Sequence, residues 1–452
     1  MAATNNVIGL RKTKSFMEGS SVSAILGASA TLAATLLGGG GAIVPLELKV
    51  RETGFVVSPI LFAGCCAWTM YTSWALLRVS RLSQIDSYEE IARHTIGPIG
   101  SFLVKLVIVV NAFFICVSLQ GIFVDLVEPG KVDRTLMVFG SGVVMWPITA
   151  FVRRVDRLTI PSFLTALTAL IFLGFVLRRA VMGPLPEIEL SPTPTGGNPV
   201  SIMLDSFSTI VIGFVVQFNV LPVYATLPRD GAQTSMMIAL FVGMGLTLTV
   251  YVSMDLLSYL TIGRASYEDT IEEYTNMGGG AFATCELGIG QLMSYPILAH
   301  AAVTEVGKIV KSWRCGPAAS AKAPTEKSAL IDGAKKPAPS YAKEDPAEPT
   351  AAAPATMTTW LDSDFVAEGV AGTLWVVLST IAAVILKDVG SLLALVGAAS
   401  ATPLMCIFPP LMLIQQEGRG GCAGAFHTFM FVFGCVATLA CVIMAVMDYG
   451  KD

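Results

Sequence analysis

Four consecutive glycines, Gly38 to Gly41, sit inside an apolar run that begins near Ser21 and closes on Pro45. A regular helix cannot absorb such a segment cheaply. Each glycine costs about 1 kcal/mol in a helix interior and a proline about 3. A backbone amide freed inside a bilayer costs several kcal/mol more unless protein or water satisfies it. A helix broken at that depth should therefore line a cavity, and a cavity at mid-membrane is where a transporter holds its cargo. The competing reading is that the glycines only let helices approach closely, as small residues do in membranes.

The membrane setting follows from composition. The 452 residues are 54% hydrophobic and only 14% charged, with a mean hydropathy of +0.68, whereas soluble domains carry about 25% charged residues. Apolar runs of bilayer length lie near 21–46, 56–77, 101–127, 135–152, 159–181, 200–224, 235–262, 280–310, 365–386, 389–414 and 424–447. The fold class expected is thus all-α and polytopic, with eleven transmembrane helices. No cleavable leader is expected, because the first residues are polar and carry Arg11, Lys12 and Lys14. The nine cysteines fall mostly within apolar runs, so no disulfide framework is expected. The net charge of −4 discriminates little.

Sidedness follows from the positive-inside rule. With the N-terminus in the cytoplasm, 19 of the 29 Lys and Arg residues fall in inner segments and nine in outer ones, with Lys105 inside a span. The expected organisation is a cytoplasmic tail at 1–20, spans one to eight over 21–310, a cytoplasmic linker at 311–360 and spans nine to eleven over 361–448. The linker is rich in Ala, Pro, Lys and Glu without apolar period and reads as disordered.

The sixth span repeats the peculiarity of the first. It reads Gly213-Phe214-Val215-Val216-Gln217-Phe218-Asn219-Val220-Leu221-Pro222-Val223-Tyr224, with Gln217 and Asn219 in mid-run and a proline that cannot donate to the helix ladder. Interrupted helices at matching places in two halves point to an inverted repeat with its binding site between the halves. Spans one to five would form one repeat, six to ten the other, and the eleventh would be an addition.

These segments resemble the signatures of the amino acid/auxin permease family, within the amino acid–polyamine–organocation superfamily. Gly38 to Pro45, closed by Glu52-Thr53-Gly54, is similar to the family's first-helix pattern. Gln217 to Tyr224 resembles its sixth-helix run ending in Leu-Pro-x-Tyr, and Met293-Ser294-Tyr295-Pro296-Ile297-Leu298 its eighth-helix Tyr-Pro element. Ser391 to Pro403, followed by Phe408-Pro409-Pro410, resembles its tenth helix. The resemblance implies eleven helices in the leucine-transporter-type 5+5 fold and secondary active transport of amino acids. Sodium-coupled members carry an Asn in the first helix where this chain has Ala34 or Thr35; their eighth-helix hydroxyl corresponds to Ser294. With half of that sodium site missing, proton coupling or exchange is favoured over sodium.

A zwitterionic amino acid asks for three things. Exposed amides of Gly39, Gly40 and Gly41, with Gly38 beside them, suit its carboxylate, since a helix N-terminus acts as roughly half a positive charge and glycine lets a ligand reach the backbone. Freed carbonyls near Gln217 and Asn219 suit the ammonium. Asn111, Ser294, Ser400 and Thr402 are the candidates for reading the side chain, although Ser and Thr often bond their own helix and Asn111 could glue two helices. Thr35, Ser294 and Glu286 are candidates for the coupling ion. Asp255, Glu286 and His300 lie deepest among the ionisable residues, and such groups inside spans are functional suspects.

The expected partners are an amino acid, a proton or sodium ion, and the lipid bilayer of a plasma or vacuolar/lysosomal-type membrane. No cofactor and no nucleic acid partner are expected. An enzyme is disfavoured, because His94, His300 and His427 are scattered and show no metal-ligand spacing. No phosphate loop is present for an ATP-driven pump. A non-transporting amino acid sensor on the same fold is the alternative.

Overall fold

The structure is a computed structural model whose described residues are 19–38, 53–127, 133–151, 158–183, 193–194, 198–228, 231–263, 267–315, 363–386 and 395–449. They are helical almost throughout, and their polarity is turned outside-in relative to a soluble protein. Asn111, Gln217, Asn219, Asp255, Gln291 and Ser294 are all buried, while Phe102, Phe241 and Leu439 are more than 60% exposed. Water would penalise that arrangement and a hydrocarbon solvent favours it.

The first half runs through α1 (Gly19–Leu36), α2 (Val57–Ser83), a short α3 (Tyr88–Thr95), α4 (Pro98–Val127), α5 (Arg134–Phe151) and α6 (Thr159–Met182). The second half runs through α7 (Pro199–Phe214), α8 (Gln217–Thr226), α9 (Ala232–Ile262), α10 (Tyr267–Asn276), α11 (Gly280–Cys315) and α12 (Ser363–Ile385). It continues with two π-helical turns, Gly397–Ala401 and Pro403–Ile407, then α13 (Phe408–Glu417) and α14 (Gly421–Tyr449). Among the described residues, nine segments are long and apolar enough to cross a membrane; α7 and α8 count as one of them, as do the π turns with α13. Helix α1 contributes a shorter apolar stretch, Val22–Leu36. The 36-residue α11 carries Glu286, Gln291, Ser294 and His300 and is less apolar than those nine. It reaches Cys315, and the rest of the expected linker lies outside the described residues.

Three places depart from α geometry. Regular α-helix ends at Leu36, with Leu37 and Gly38 in a wider π turn; Gly39, Gly40 and Gly41 lie outside the described residues. The second break falls at Val215 and Val216, directly before Gln217 and well before Pro222. Pro222 sits inside α8, where it forfeits one ladder bond. The backbone at Val215 is extended (φ −73°, ψ 109°). The third departure is the π stretch at 397–407, where Pro403, Pro409 and Pro410 remove donors and the ladder widens.

Helix α11 is central: it packs on α4, α6 and α12, while α1 packs on α9, α6 and α8. Glycines set the closest approaches. A Cβ on Gly290 would fall 1.8 Å from Thr168 Oγ1 of α6, and one on Gly243 3.0 Å from the Ser29 carbonyl of α1. Short α3 is anchored by Tyr88, whose hydroxyl donates to the Leu404 carbonyl at 3.0 Å. Burial, with a smaller contribution from Cys406, pushes that phenol well above the ordinary tyrosine range, so it stays a donor to the π segment.

Candidate functional site

Broken helices leave carbonyls without partners, and the ends of α1 and α7 show how this chain satisfies them. The Tyr251 hydroxyl of α9 lies 2.5 Å from the Leu36 carbonyl and 3.1 Å from the Gly213 carbonyl. One phenolic proton thus serves two helix ends. The ring is held by Phe62 and Phe214, at centroid distances of 6.0 and 5.3 Å. Thr69 of α2 donates to the Phe214 carbonyl at 3.2 Å, and Gln291 Nε2 of α11 to the Leu37 carbonyl at 3.2 Å. A carbonyl has two lone pairs, so one side-chain donor does not saturate any of these four oxygens. Gln291 Oε1 is buried and accepts no hydrogen bond among the described residues.

The two breaks are also joined directly. Asn219 Nδ2, in the first turn of α8, donates to Thr35 Oγ1 at 3.0 Å, and Thr35 donates in turn to the Thr31 carbonyl. Gln217 is engaged at both ends of its amide: Oε1 accepts from the Val216 amide and Nε2 donates to Thr72 Oγ1, each at 3.0 Å. The freed carbonyls therefore precede Gln217 and Asn219, at Gly213 and Phe214. The amides of the opening turn of α8 face the opposite way along the axis, so this end of α8 carries the positive end of a helix dipole. Ser294 of α11 packs on Gly38, where a Cβ would stand 1.7 Å from Ser294 Oγ, and its hydroxyl is 3.0 Å from Thr165 Oγ1 of α6.

The remaining candidates sit further along the core. Ser400 donates to Asn111 Oδ1 at 3.0 Å and approaches the Val396 carbonyl at 2.7 Å; Asn111 Nδ2 has no acceptor among the described residues. Thr402 bonds the Gly397 carbonyl of its own π turn at 2.8 Å. Among the ionisable suspects, Asp255 Oδ2 accepts from Ser58 at 2.5 Å in the first turn of α2, where the helix dipole favours an anion. Glu286 Oε2 is buried and accepts no hydrogen bond among the described residues. Neither touches the Thr35–Asn219 pair. His300 lines a small cleft with Thr149, Thr304 and Glu368. No group of three or more His, Cys, Asp or Glu among the described residues could hold a metal, and the eight cysteines whose side chains are described are free thiols.

Residues 22–447 match the model for the transmembrane amino acid transporter protein family. The chain belongs to that family. No curated protein matches the sequence. Solved structures share the fold at low identity. One is a Na+-coupled sialic acid symporter in a substrate-bound outward-open state: TM-score 0.55, 10% identity, 95% of this chain and 90% of the other covered. A manganese transporter mutant of Eremococcus coleocola gives 0.55 at 9% identity, with 96% and 89% covered. A nucleobase-cation-symport-1 family transporter, closed with bromovinylhydantoin bound, gives 0.51 at 11% identity, with 94% and 92% covered.

In this amino acid transporter family member, Tyr251, Gln291, Thr69 and Thr165 were not singled out by sequence reasoning. Gln291 was within reach of it. It lies one turn before Ser294 on a single helix face, so a polar residue at i−3 was the available signal. Tyr251 offered none beyond a hydroxyl in an apolar run. The Asn219–Thr35 bond gives a testable consequence. In a double-mutant cycle on thermal stability, Asn219→Ala and Thr35→Ala should be non-additive by about 0.5–1.5 kcal/mol, the net value of a buried hydrogen bond. Additive losses would mean the two breaks are not coupled through this pair.

Proposed function

We propose that the chain carries amino acids by alternating access, with the substrate held between the interrupted first and sixth spans. The observation that carries this reading is the meeting of the α1 and α7 carbonyl ends at one tyrosine hydroxyl. Two negative helix ends and the spare oxygen of Gln291 suit an ammonium group. The positive end of α8, together with Gly39, Gly40 and Gly41, suits a carboxylate. Asn111, Ser294, Ser400 and Thr402 are assigned to the substrate side chain.

The same reading takes the chain as eleven spans in a 5+5 inverted repeat plus one, with the N-terminus cytoplasmic, in a plasma or vacuolar/lysosomal-type membrane. Its support is a packing pattern that maps onto itself when each span is exchanged for the one five places away. The first span packs on the seventh (α1 on α9), and the sixth on the second (α7 and α8 on α2). The fifth packs on the eighth (α6 on α11), and the tenth on the third (the π turns on α4). The ninth packs on the eighth (α12 on α11), and the fourth on the third (α5 on α4).

For coupling, we infer a proton or exchange rather than sodium, because Ala34 or Thr35 stands where sodium-coupled members carry Asn, and the Thr35 hydroxyl is already engaged by Asn219. Glu286 is assigned as the proton carrier. A labelled amino acid panel in reconstituted vesicles, with pH and sodium gradients imposed separately, tests both points. Uptake should follow the pH gradient, and Glu286→Gln should still exchange substrate but lose that dependence. Uptake that follows sodium alone would overturn the coupling assignment.

A further inference from the structure

Away from the broken helices, the end of α6 and the α10–α11 turn form an open cavity of about 310 Å³ lined by Phe175, Arg178, Arg179, Met182, Gly183, Met277 and Gly278. Two adjacent arginines share the lining with an aromatic ring and two methionines, and no carboxylate is among the lining residues. Arg179 Nε is buried and finds no acceptor among the described residues. Its guanidinium folds back over Gly183, where a Cβ would stand 2.0 Å from one terminal nitrogen. Any larger residue there would push the guanidinium away. Beneath, Phe172, Phe175 and Tyr274 form an edge-packed wall, and Tyr274 is fixed by a 2.9 Å hydrogen bond to Thr261.

Snorkelling alone accounts for arginines that reach water. It does not account for two adjacent arginines lining one cavity with no carboxylate among the lining residues. A planar guanidinium matches two phosphate oxygens, and the apolar wall matches the glycerol and upper acyl chain attached to a headgroup. We propose that this cavity is a binding site for a phosphate group, held by Arg178 and Arg179, and that the phosphate is that of an anionic lipid. Free phosphate offers the same oxygens without the apolar part, so the two sources separate by experiment.

Native mass spectrometry of the purified full-length chain, with phosphatidylglycerol or phosphatidylcholine added, reads occupancy directly. The wild-type chain should retain phosphatidylglycerol in preference to phosphatidylcholine. The Arg178→Ala/Arg179→Ala variant should lose that preference, with apparent affinity falling roughly tenfold or more, the scale of two charge-assisted contacts. Arg179→Lys, which keeps the charge but not the fork, should lose part of it. Inorganic phosphate should displace the lipid only weakly; full displacement at comparable concentration would assign the site to free phosphate and overturn the lipid source. Because Arg178 is exposed, Arg178→Ala alone serves if the double variant does not fold. Equal retention of both lipids by wild type, or undiminished phosphatidylglycerol retention by a folded variant, would overturn the site.

Discussion

Gly38→Val is expected to abolish amino acid uptake while leaving the chain in the membrane. Its α-hydrogen faces Ser294, and a Cβ there would stand 1.7 Å from Ser294 Oγ and 2.1 Å from Ser294 Cβ. No rotamer change of Ser294 removes its own Cβ, so the end of α1 must move off α11. Overpacking of this kind costs about 1–3 kcal/mol, and the displaced segment is the one that carries the Leu36 and Leu37 carbonyls. A rescue separates a local clash from general damage. Gly38→Ala should lower the thermal midpoint, and Gly38→Ala combined with Ser294→Gly, which removes the opposing Cβ, should recover part of that loss. Uptake by reconstituted variants, alongside their thermal unfolding, checks both. Normal transport by Gly38→Val would displace the site from this junction.

Tyr251→Phe carries the second large effect. The substitution keeps the ring against Phe62 and Phe214 and removes only the hydroxyl that serves Leu36 and Gly213. A buried carbonyl that loses its donor costs about 1–3 kcal/mol, which is roughly tenfold or more in an equilibrium constant. Since one hydroxyl bonds both broken helices, the loss should appear in their relative placement. The transport rate should fall by roughly tenfold or more, with a smaller change in apparent affinity, and the thermal midpoint should fall too. A variant with wild-type rate and stability would show that the tyrosine only fills space.

Much of this arrangement was legible in the residues. Glycines 38 to 41 marked the end of α1, because backbone entropy and the missing Cβ act locally. The polar pair Gln217 and Asn219 marked the second break, which falls directly before them at Val215 and Val216. Pro222 is visible in the sequence as a breaker, whereas the side chains that stabilise a break at Val215 and Val216 come from α2 and α9. Such partners are separated from the break by 38 residues for Tyr251 and 145 for Thr69, and no local pattern announces them. The π turns around Pro403 are a similar case: three prolines were plain, and the widened ladder depends on neighbours such as Tyr88. Gln217, chosen for its polarity, is spent on Val216 and Thr72, while Gln291, which leaves an oxygen unsatisfied, was passed over. Polarity within a span identifies buried hydrogen-bonding groups; which of them keep spare capacity is decided only by packing.

Sealed vesicles supply the most direct measurement: labelled amino acids, an imposed pH gradient, and wild-type chain beside Gly38→Val. Wild type should accumulate label above its equilibrium level while the gradient lasts, and Gly38→Val should not. Label that binds wild type but never accumulates, or full accumulation by Gly38→Val, would contradict a carrier whose cargo sits between the two broken helices.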